Sequence, residues 1–203
     1  MGRLTIIVLA AVLPGSGARA ANGHDGGSPP ALVEEKPEPA RCLVSMQFGF
    51  LVDQQVTITP GRVKGPDFNL RREGDTYYGF ILSRPTRFRV KPGEISGTAC
   101  GMDLMLHVFD RGRVTEITGL VGARRVRARI SDQRVTVDAG ASTMVESSAH
   151  LALVRERGNR LSGQFGQGSQ LAPARLVTAG CDLDYLRRRP GLVVILFLWW
   201  LGV

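Results

Sequence analysis

The chain is 203 residues long with a formal charge of +8, enough for one ordinary domain with a real core. Of its 26 basic residues only Lys36, Lys64 and Lys91 are lysine; with abundant Ala, Gly and Val, this is the composition of a GC-rich, bacterial genome. The excess charge is therefore read as genome bias and a repulsive, solubilising surface, which argues against a nucleic-acid interface.

Arg3 precedes an apolar run from Leu4 to Leu13, followed by Pro14-Gly15-Ser16-Gly17 and Ala18-Arg19-Ala20. A basic start, a short apolar stretch and a small-x-small site are the layout of a secretory signal peptide over residues 1–20. The apolar run is too short to span a bilayer, which takes about 20 residues. The expected destination is the periplasm, the outer envelope or the extracellular space. There the polyanions are anionic envelope polymers and lipid headgroups. Removing Arg3 and Arg19 lowers the formal charge to +6. Residues 21–41 are rich in Pro, Gly and Glu, have little to bury, and read as a disordered spacer.

Residues 42–186 carry short alternating runs punctuated by glycine, without long helical periodicity. Arg87-Phe88-Arg89-Val90, Leu104-Met105-Leu106-His107-Val108 and Arg125 to Ile130 all alternate, which predicts antiparallel strands in an all-β domain. Three hairpins resemble one another: Phe68 to Phe80, Leu104 to Gly119 and Leu151 to Gly163. Each turns at a glycine and closes near another, at Gly79, Gly119 and Gly163. The expectation is three repeated four-stranded units of about 40 residues, as in a β-trefoil or β-prism.

Three cysteines remain after cleavage, Cys42, Cys100 and Cys181, and an oxidising compartment permits one disulfide among them. Cys100 and Cys181 follow similar Thr-Ala contexts, Thr98-Ala99 and Thr178-Ala179, so Cys100–Cys181 is the expected bridge and Cys42–Cys181 the second choice. No cysteine sits in a CxxC and no histidine lies at ligand spacing, so no metal or cofactor is expected. His107 is read as a satisfied polar residue on a half-buried face. Asp182 and Asp184 offer a hard cation too few oxygens. There is no G-x-S-x-G, and an enzyme is left without positive support.

Arg125, Arg127 and Arg129 share one strand face, with same-face neighbours about 7 Å apart. They are the candidate polyanion-binding row; the plainer reading is a solvated strand face.

Residues 187–203 form a basic-hydrophobic tail: Arg187, Arg188, Arg189 and Pro190, then an uncharged run from Gly191 to Val203 with paired Trp199 and Trp200. The run is too short for a full span. It reads either as a shallow membrane or partner contact made by the arginines and tryptophans, or as a segment folded back on the domain. The functional expectation is an exported cell-envelope protein acting as a non-catalytic binding or structural module, tethered by its tail. The alternative is a hydrolase or other enzyme with a dispersed site in a β-barrel mouth.

Overall fold

The computed structural model describes residues 41–49, 53–141, 144–167 and 170–201, all within the unit Pro37–Val203. The predicted signal peptide and the spacer up to residue 40 lie outside the described residues.

Fourteen strands are described: β1 (Cys42–Phe48), β2 (Gln54–Thr59), β3 (Arg62–Gly65), β4 (Phe68–Glu73), β5 (Thr76–Ile81), β6 (Arg84–Lys91), β7 (Glu94–Ala99), β8 (Met102–Asp110), β9 (Val114–Val121), β10 (Arg124–Ser131), β11 (Arg134–Ala141), β12 (Met144–Arg155), β13 (Arg160–Gln167) and β14 (Gln170–Ala179). Two helices follow, α1 (Leu183–Arg187) and α2 (Pro190–Trp200). Each strand pairs antiparallel with its chain neighbour, and β14 pairs back with β1, closing the barrel. The three predicted hairpins are β4–β5, β8–β9 and β12–β13.

The expected trefoil or prism is not what closes the sheet. A single meander does, and the recurring glycines have a local cause. Gly79 faces Leu70 across β4–β5, Gly119 faces Leu106 across β8–β9, and Gly163 faces Leu153 across β12–β13. A Cβ at Gly79 or Gly119 would stand 2.1 Å from the backbone oxygen of Asn69 or Met105. Both have positive φ, 140° and 153°, so the strand bends there in a way that only glycine allows. Gly97 of β7 repeats the arrangement opposite Phe88 of β6, outside the three predicted hairpins. The feature belongs to hairpins of a coiled sheet, and not to a four-strand module.

Alternation decides the two faces of the wall. Val44, Met46, Val56, Ile58, Leu70, Phe88, Ile95, Leu106, Ile117 and Ile130 are buried inside, while Arg87, Arg89, His107, Arg125, Arg127 and Arg129 point outward and are exposed. The outward wall thus carries charge at positions where a membrane-spanning barrel presents an apolar band. Among the described residues, no helix is long and apolar enough to cross a membrane.

Eight strands make a barrel whose side chains just fill it; fourteen leave a wider lumen. α2 occupies that lumen. It is apolar on every side, and all residues from Gly191 to Trp199 are buried, the pattern of a helix surrounded by protein. Its eleven residues rise about 16 Å from the end where β6 and β7 meet to the β3–β4 turn. At the start, Gly191 lies so close to the wall that a Cβ would meet Val90 Cγ2 at 2.8 Å and Tyr77 Cε2 at 3.0 Å. At the far end Trp199 sits between Phe48 and Phe68, with ring centroids 5.6 and 6.3 Å away, and Arg124 Nη1 donates to the Leu201 carbonyl at 3.2 Å. The apolar part of the predicted tail that the structure describes, α2, is therefore an interior element.

The disulfide also differs from the first expectation: it joins Cys42 to Cys181, with Cα atoms 5.1 Å apart, and Cys100 is a buried free thiol. The similar Thr-Ala contexts belong to different strands. Cys100 turns from β7 into β8, whereas Cys181 leaves β14, which pairs with β1 beside Cys42. Barrel closure decides the pairing, because it brings the first and last strands together.

Candidate functional surface

α1 caps one barrel end and arranges the arginines of the tail. Asp182 accepts from the Tyr185 amide at 2.8 Å and caps the helix. Asp184 Oδ1 accepts from Arg187 Nε and Nη2 at 2.9 and 2.7 Å, and its Oδ2 meets Arg188 Nη2 at 2.9 Å. Arg187 also reaches Asp110 Oδ1 at 3.4 Å, and Thr115 Oγ1 donates to the Arg187 carbonyl at 3.3 Å. The Arg189 guanidinium lies 4.8 Å from the Tyr185 ring centroid. Arg187 is buried, Arg189 half-buried and Arg188 exposed.

Trp199 is buried and donates from Nε1 to Asp67 Oδ2 at 2.8 Å; Trp200 is half-buried. Of the five residues anticipated as a membrane or partner contact, Arg187 and Trp199 are buried and engaged within the domain, whereas Arg188 is exposed and Arg189 and Trp200 are half-buried. The arginines anchor α1 and the start of α2, and the tryptophans close the far end of the lumen. The physical reason is the lumen itself, which offers the apolar run a dry surface on all sides. Asp182 and Asp184, the weak cation candidates, have their carboxylates engaged in the cap and the ion pairs.

Between α2 and the β10–β14 side of the wall lies a cavity of about 40 Å³, lined by apolar side chains including Val137, Leu153, Phe197 and Trp200. It offers no polar group to orient a substrate. Among the described residues, no group of three His, Cys, Asp or Glu could hold a metal ion. His107 is exposed with its neighbours Met105 and Phe109, not on a half-buried face as expected; the buried positions of this strand are Leu104 and Leu106. His150 Nδ1 lies 2.5 Å from Asp138 Oδ1 on the outer wall, an exposed pair with no nucleophile beside it among the described contacts.

The outer wall carries the remaining chemistry. Arg125, Arg127 and Arg129 do share one exposed face of β10. Carboxylates flank them on both sides. Arg129 Nε lies 3.9 Å from Glu116 Oε1 of β9, and Arg127 stands opposite Asp138 of β11. A second basic surface runs across β3 to β6. Arg62, Arg71, Tyr78 and Arg87 stand in one cross-strand row, and Lys64, Asn69 and Phe80 in the next. On this face Arg62 Nη2 donates to Asn69 Oδ1 at 3.1 Å. The Tyr78 hydroxyl donates to Glu73, a bond that raises the phenol above its ordinary pKa.

Two outer clefts, of about 640 and 590 Å³, flank β3 and share Arg62, Lys64 and Gly65. The alternation of Arg62-Val63-Lys64 was legible in the chain, but the surface depends on the β3–β4–β5 register, which no linear motif encodes.

Comparison of the chain with protein-family models, with curated proteins and with solved structures found no match.

Proposed function

We propose that this is an exported cell-envelope protein acting as a non-catalytic binding or structural module through the outer wall of its barrel. One observation carries the reading: α2 fills the lumen with apolar side chains, so the interior that usually serves a barrel as its ligand site is occupied by the chain itself. The groups able to recognise a ligand stand outside, and they are mostly arginines, whose planar forks suit carboxylate and phosphate. Export is supported by the leader-like residues 1–20 and by the Cys42–Cys181 bridge, since disulfides persist in oxidising compartments. The proposed partner is an anionic envelope polymer. The tail supplies the filling of the barrel and not its tether. The alternative of a site in the barrel mouth loses its space to the same helix.

Co-sedimentation of the mature chain, residues 21–203, with purified anionic envelope polymer tests the proposal. Binding at low ionic strength that fades as salt rises is expected, because exposed ion contacts are screened. No binding at low salt, or salt-insensitive uptake of an apolar dye by the folded protein, overturns it.

A further inference from the structure

We infer that the outer face of β3 to β5 holds a subsite for the acidic sugar residues of a linear polysaccharide; this rests on the outer-wall reading above and names its ligand and its location. Three features meet there. The first is a cleft of about 640 Å³ with Arg62 and Lys64 on one side and Phe80 on the other, within the size range of small-ligand sites. The second is Phe80 itself, which is 50% exposed on a strand where the inward positions take the apolar residues. An aromatic face left in water beside cations suits the C–H face of a pyranose ring. The third is Asn69, which stands between Lys64 and Phe80 in the same cross-strand row and offers an amide to sugar hydroxyls.

The register sets the dimensions. Lys64 and Phe80 are two strand spacings apart, about 10 Å between backbones. That span accommodates one sugar ring over Phe80 with its carboxylate directed at Lys64 and Arg62. The polymer continues across β3, because the second cleft begins at the same Arg62 and Lys64 and adds Arg41 beside Gln55 and Thr57. Four strand residues, Arg62–Gly65, separate the clefts. In the adjoining row Arg71 and Arg87 extend the positive face.

One carboxylate, Asp67, lines the same cleft, with its Oδ2 held by the Trp199 indole, against the two cations Arg62 and Lys64; Glu73 accepts from the Tyr78 hydroxyl. The β10 face also has an exposed ring two strands from its row, Phe109 in line with Arg129, but there the carboxylate of Glu116 takes the middle place that Asn69 holds on the β3–β5 face, and Asp138 stands opposite Arg127.

The probe is polygalacturonate, with neutral dextran and single-stranded DNA as comparison ligands, against the full mature chain by affinity electrophoresis. The R62E/K64E variant is expected to weaken polygalacturonate binding by about tenfold or more, the scale of losing charge-assisted hydrogen bonds. F80A should weaken it severalfold while leaving its salt dependence unchanged. R125E/R127E/R129E should leave it within about twofold, since those arginines face carboxylates. Each variant is checked for an unchanged melting temperature; R62Q/K64Q replaces the reversal if that variant does not fold.

Equal loss from the β3 and β10 variants overturns the subsite, and so does an F80A variant that binds like the parent. Tighter binding to DNA than to polygalacturonate overturns the sugar assignment. Binding to other anionic envelope polymers that ignores R62E/K64E defeats this inference while the outer-wall reading stands; absence of binding to any polyanion defeats both.

Discussion

Trp199 and Asp67, 132 residues apart in the chain, are joined by an indole N–H to carboxylate hydrogen bond of 2.8 Å. The bond ties the last full turn of α2 to the turn between β3 and β4. It satisfies the one polar atom of a side chain otherwise packed between Phe48 and Phe68, as a buried indole requires. It also engages the carboxylate of Asp67, a residue that lines the basic cleft on the outer wall.

Removing Trp199's hydrogen bond should therefore be felt in stability. W199F keeps most of the packing and leaves Asp67 without its donor, a change expected to cost about 1–3 kcal/mol. At the scale of 2–4 °C per kcal/mol for a domain of roughly this size, differential scanning calorimetry resolves it. If the bond is the cause, D67A should lose much less in the W199F background than alone; full additivity would show that the two residues act separately.

Truncation before Gly191 should unfold the barrel or leave an expanded state, whether or not lipid is present. The buried side chains of α2 include Leu192, Val194, Ile195, Phe197 and Leu198, each worth about 1.5–3 kcal/mol when fully buried, and without them the inner wall faces water. Circular dichroism and dye binding of the truncated chain check this. A truncated protein with an unchanged melting temperature would contradict an interior role for α2.

Glycine substitutions should separate bends from turns. G79A and G119A place a Cβ about 2.1 Å from a backbone oxygen in a positive-φ strand, and each is expected to cost several kcal/mol, in the range of severe backbone strain. G74A lies at the β4–β5 turn with φ of 56° and open space around it, so its cost should be about 1–2 kcal/mol, that of the left-handed region alone. Urea midpoints of the three variants give the ranking.

Reducing the disulfide should lower stability without changing the fold's connectivity. Cys42 and Cys181 are 139 residues apart, and closing so long a loop is worth about 5 kcal/mol in the chain-entropy account. Non-reducing peptide mapping should recover a Cys42–Cys181 peptide and a free Cys100. Burial raises the Cys100 thiol above its ordinary pKa, so its alkylation near neutral pH should be slow in the folded protein and fast in denaturant. A Cys100-containing bridge would refute the pairing.

Arg125 to Ile130 shows how far the linear pattern reaches. Its period of two places the arginines outside and Val126, Ala128 and Ile130 inside, because successive strand side chains must point to opposite faces. The hairpins of Gly74, Gly112 and Gly158 were readable for an equally local reason, since their turns need the positive φ that glycine supplies. Such features require only neighbours in sequence.

What the tertiary structure decided involves partners far apart along the chain. The pairing of β1 with β14 closes the barrel, and that closure selects Cys42 over Cys100 as the mate of Cys181. A fourteen-strand circumference opens a lumen, and only the lumen tells whether the apolar run from Gly191 meets lipid or its own wall, because hydrophobic burial is non-directional and the run's composition suits either. The face of Arg62, Lys64 and Phe80 likewise exists only through the β3–β4–β5 register. Alternation along a strand is set by covalent geometry, and so the sequence alone determines it; register, closure and filling are set by which distant surfaces meet.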